Sequence, residues 1–147
     1  VAKFDARGGF DGGPTREELI HFQEEELQHF QLLCTAIAML GADFTAMTPS
    51  ADVAAVASAG LPQVIADPRT TLPQALQAIL IAELADNDCW QMLIDMTQEI
   101  GPPELVERFR QAKTEEDEHL AAVRRWLKAY GKLAAHGKDT EKRRATN

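Results

Sequence analysis

Two long periodic segments of this chain carry an apolar stripe that breaks, at its centre, for a glutamate and a histidine three residues apart. In the first, Leu19, Phe22, Leu33 and Leu40 recur at the spacings of a core-facing helix, and the gap in the rhythm falls on Glu26 and His29. In the second, Leu105, Phe109, Ala112, Val123, Trp126 and Tyr130 keep the same rhythm, and the gap falls on Glu116 and His119. A segment between them places Leu76, Ile79, Trp90 and Leu93 on an inner face, with Glu83 in register. Residues three apart on a helix share a face about 4.5 Å apart along its axis, so a carboxylate and an imidazole there can share one ion. Any fold must therefore bury these groups and also give them a partner.

Helix signals set the frame. Thr15 with Glu18 forms a capping box that opens a helix over about 15–40, and Gly41 closes it. Residues 41–70 read as a long connection with a short helical piece, "ADVAAVASA", broken by Gly60 and Pro62. Thr71 with Gln74 opens a helix over about 71–100, and "GPP" at 101–103 separates it from a last helix over about 104–133. Gly8, Gly9, Gly12, Gly13 and Pro14 mark residues 1–14 as a glycine-rich loop, and Lys138, Lys142, Arg143 and Arg144 mark 134–147 as a basic, flexible tail. No strand pattern is present. The expectation is an all-α bundle over 15–133, antiparallel across the tight turn, with a long crossover between its first two helices. Reflecting Glu83 through the 101–103 turn lands near residues 119–123, so Glu83 should lie within a turn of His119.

The totals fit one domain: 147 residues, 45% apolar and 26% charged. A formal charge of −8 argues against nucleic acid as a partner. No apolar run reaches the length of a membrane-spanning helix. Cys34 and Cys89 are far apart with no CxxC, and read as buried free thiols of a reducing compartment, the cytoplasm by default.

Buried unpaired carboxylates cost several kcal/mol each, and no Lys or Arg falls on the inner stripes nearby to offset them. Two divalent cations would, with +4 against −3 from Glu26, Glu83 and Glu116. One carboxylate is then missing, and a fourth helix is its natural place. Oxygen and nitrogen donors without thiolate suit iron or manganese rather than an iron–sulfur or structural zinc site.

A Glu-x-x-His on each of two helices with a lone Glu on another resembles the di-iron pattern of the ferritin-like superfamily. The order over residues 15–131 is similar to the second, third and fourth bundle helices of bacterioferritins and rubrerythrins, crossover included. The resemblance implies a four-helix bundle whose first helix, with its glutamate, lies upstream of Val1 or comes from a partner chain. It implies that Glu26 and Glu116 bridge two iron ions (manganese possible), with His29 and His119 terminal and Glu83 completing one ion. The implied activity is oxidation of Fe(II) with dioxygen or peroxide, in iron handling or oxidative-stress defence. Manganese catalase chemistry, a storage cage and haem held between subunits belong to the same resemblance. The lack of a CxxC rubredoxin-like module argues against a complete rubrerythrin that supplies its own electrons. An apolar open side implies a homodimer or larger homo-oligomer. The alternative is a non-catalytic ferritin-like scaffold or binding protein.

Plainer readings apply to the neighbours. Glu24, Glu25, Glu115, Asp117 and Glu118 are expected to face water, as glutamate runs usually do. Glu18-x-x-His21 is a second match to the spacing, placed outside because Glu25, Gln28 and Leu32 continue its register. Trp90 and Trp126 read as core packing, and Tyr130 is too far from His119 to act with it. Asp86 or Asn87 could hold a ligating histidine, or simply be solvated.

Overall fold

The structure, a computed structural model, describes residues 1–145, with side chains through residue 136. Six helices make it up: α1 (Ala2–Arg7), α2 (Arg16–Met39), α3 (Pro49–Ser58), α4 (Gly60–Ala66), α5 (Leu72–Ile100) and α6 (Pro103–Ala145). Among the described residues the regular structure is all helical, and no helix is long and apolar enough to cross a membrane.

Local chemistry places the three long helices. Both capping boxes form: Thr15 with Glu18 at α2, and Thr71 with Gln74 at α5, each satisfying two otherwise unpaired helix-end donors. At the far end of α2, Gly41 takes φ +77. The amides of Gly41 and Ala42 then bond back to Ala38 and Ile37, an arrangement that few residues other than glycine tolerate. Gly101 ends α5 for a different reason: a Cβ there would stand 2.6 Å from Thr97 Cγ2. Pro103 then opens α6, where its missing N–H costs nothing.

The α6 helix is the spine of the molecule. It runs back along α5 and takes α2 on another side. Two apolar clusters form along it. One holds Ala36, Trp90, Ile94, Leu105, Val106, Phe109 and Ala112. The other holds Leu72, Leu76, Ala122, Val123 and Trp126, with Phe4, Phe10, Leu19 and Phe22 packed on it. Each fully buried aliphatic side chain contributes roughly 1.5–3 kcal/mol. On each long helix the Glu/His positions fall between the residues of these clusters, so a polar layer is closed at both ends by packed side chains.

Several expectations need correction. Residues 2–7 form a helix rather than loop, because Phe4 docks on the second cluster before the glycines begin. The crossover holds two helices, not one. The first ends at Ser58, just before Gly60 as expected, but Pro62 falls in the first turn of a second helix, α4, where a missing N–H is tolerated. The last helix continues past residue 133 to Ala145 through a stretch of mostly Ala, Lys and Arg without proline. Of the expected flexible tail, residues 146–147 and the side chains from 137 lie outside the described ones. Leu40 is 62% exposed, beyond the last packed turn of α2. Tyr130 is exposed too, its ring edge-on to Phe10 at 5.5 Å. Cys89 is exposed and Cys34 half-buried, so neither is the core thiol expected.

Candidate metal centre

Four side chains from three helices meet in the polar layer. Glu26 of α2, Glu83 of α5, and Glu116 and His119 of α6 each present a donor atom, all within 4.8 Å of one another. From His119 Nδ1 the distances are 3.4 Å to Glu26 Oε1 and 3.9 Å to both Glu83 Oε2 and Glu116 Oε2. Glu83, Glu116 and His119 are buried, whereas the side chain of Glu26 is 45% exposed. The α5–α6 hairpin brings Glu83 beside His119, and α2 lies along α6 so that Glu26 reaches the same point.

The fifth expected residue, His29, is buried in the same layer but stands outside that group of four. Its Nδ1 lies 2.9 Å from Glu116 Oε1 and its Nε2 lies 2.7 Å from Glu115 Oε2. The Trp90 indole N–H also donates to Glu116 Oε1, at 3.2 Å, and meets the His29 ring edge-on. Trp90 therefore does more than pack.

Glu25 and Glu115 are corrections to the sequence reading. Both were expected in water, and both turn inward. Glu25 Oε2 accepts from His119 Nε2 at 2.9 Å, as Glu115 accepts from His29. His29 is thus held by both glutamates of the opposite motif, and His119 by Glu25 alone. The signal was in the sequence, because both motifs read Glu-Glu-x-x-His. Asn87 holds neither ring and donates to Asp117 instead. Glu18 and His21 stay outside, with His21 ion-paired to Glu25 at 3.3 Å.

The groups of the layer perturb one another strongly. Burial, aided by the charges of Glu116 and Glu26 against the relief from His119, pushes the Glu83 carboxyl up to about 8. For His119 burial acts downward, but the carboxylates of Glu26, Glu25, Glu83 and Glu116 outweigh it and raise the ring to about 9. His29 is raised as well, hydrogen bonds to Glu116 and Glu115 overcoming its burial. Asp86, exposed one turn beyond Glu83, is pushed up to about 6 by partial loss of water and by the charges of Glu116 and Glu26. Three buried atoms at the centre, Glu83 Oε2, Glu116 Oε2 and His119 Nδ1, have no hydrogen-bond partner. Buried polar atoms are almost always paired, so three orphans facing one point fit a cation that all three would ligate.

Comparison of the chain with family models, with curated proteins and with solved structures found no match.

Proposed function

We propose that this chain is a ferritin-like carboxylate protein that holds two iron ions, or manganese, and oxidises Fe(II) with dioxygen or peroxide. The observation that carries the reading is the convergence of both Glu-Glu-x-x-His motifs with Glu83, leaving three buried donor atoms unpartnered. In this reading Glu83, Glu116 and His119 supply the buried ligands, and Glu26 supplies one from the open side. His29 serves the second ion. Glu25 and Glu115 hold the Nε2 atoms outward, which leaves each Nδ1 facing the layer. Phe22, its ring 4.0 Å from that of His119, shields one end from water, and Trp90 orients Glu116 at the other. Bound iron would supply the electrons and the open positions for an oxidant. The exposure of Glu26, together with exposed Leu27, Phe30, Ile81 and Leu84 at the same level of α2 and α5, supports a further helix or a second copy covering that side.

The test is anaerobic loading with Fe(II) followed by air or peroxide. Saturable oxygen uptake with ferric absorbance, lost in Glu116→Ala, is the expected result. Oxidation at the rate of buffer alone, with metal bound, would instead favour a non-catalytic scaffold.

A further inference from the structure

The two histidines occupy the layer unequally, and the difference bears on how it fills. His119 has one ring nitrogen committed, Nε2 to Glu25, while Nδ1 faces Glu26, Glu83 and Glu116 without a hydrogen bond. His29 has both nitrogens committed, to Glu115 and Glu116. Glu115 is itself fixed by the Gln111 amide at 2.7 Å. Glu116 divides accordingly: Oε1 takes His29 and Trp90, and Oε2 is left for the centre.

Resting on the metal-binding reading above, we propose that the layer fills in order. A single divalent cation enters first, among Glu26, Glu83, Glu116 and His119. The position at His29 stays latched until its bond to Glu116 opens. The first position needs no protein hydrogen bond broken, since its buried donors are already free. At the second, His29 Nδ1 must leave Glu116 Oε1 before either atom can ligate. Glu115 steadies the ring at Nε2 while it does so. Opening one charge-assisted hydrogen bond weakens the second step about tenfold relative to the first.

Mn(II) is the probe, followed by equilibrium binding and by electron paramagnetic resonance on the full chain. At one equivalent the spectrum should be that of an isolated ion, and a spin-coupled pair should grow in only with the second. His29→Ala, checked for helicity by circular dichroism, should keep the first constant within about twofold and lose the second. Glu115→Gln should change the second constant and spare the first. Coupled pairs from the first addition, or loss of the first ion in folded His29→Ala, would overturn the order but leave the proposed function standing. No bound Mn(II) or Fe(II) in the wild type would overturn both.

Discussion

The two Glu-Glu-x-x-His motifs are alike at three positions of five and differ in what surrounds them. On α6, Glu116 and His119 are 0% and 1% exposed, because that helix is packed between α5 and α2. On α2, His29 is buried while the side chain of Glu26 is 45% exposed, because α2 leans on α6 and offers its other faces to solvent. Identical chemistry is thus fully buried on one helix and half open to solvent on the other. A ligand type is written in the sequence, but its strength is set by the neighbours.

The largest expected contrast is in stability. Trp126→Ala empties a position on α6 that is 2% exposed and should cost about 3–5 kcal/mol. Phe30→Ala on the exposed flank of α2 should stay within about 0.5 kcal/mol. Urea unfolding of both variants at one protein concentration measures the gap. Equal large losses would mean that the α2 face is packed against something in solution, such as a second copy.

Metal retention should divide the same way. Glu116→Ala removes a buried ligand and should abolish retention through gel filtration, whereas Glu26→Ala should only weaken it, because water can replace an exposed carboxylate. Elemental analysis decides, and equal retention in both would remove Glu116 from the ligand set. A smaller effect is expected from Glu25→Gln at the first position and from Glu115→Gln at the second, each weakening binding there about 10–100-fold by loosening the histidine it holds.

The pH dependence sharpens the contrast last. Glu83, His29 and His119 all have folded pKa values above their ordinary ones. Their stabilisation of the metal-free protein is therefore complete below the unfolded values of 4.5 and 6.5. It is lost as pH rises through about 8 for Glu83 and about 9 for His119. Metal binding needs the deprotonated forms, so affinity runs the other way. Between pH 6.5 and 9 the melting midpoint of metal-free protein should fall, while the increment on adding Mn(II) should grow. An increment that shrinks with pH would contradict the ligand assignment.

The long helices were legible because their ends are chemical: a threonine with Glu18 or Gln74, and a glycine where the chain must turn. The core stripes were legible from period alone, apart from Leu40 and Tyr130, which lie where no neighbouring helix covers them. Glu25 and Glu115 were not legible from one helix considered singly. Each sits about 100° round from its neighbouring ligand, at the seam of the apolar face. What turns it inward is a histidine on another helix. The α1 helix was hidden by the glycines that follow it, since Phe4 alone signals that the segment has something to dock on.

The central claim is that the unpartnered atoms of Glu83, Glu116 and His119 face a cation. Anomalous diffraction from crystals soaked in Mn(II), recorded on both sides of the manganese absorption edge, tests it most directly. The account predicts a peak among Glu83 Oε2, Glu116 Oε2 and His119 Nδ1, at coordination distance from all three. A fully bonded, metal-free layer in those crystals, with manganese found only on surface carboxylates, would contradict it.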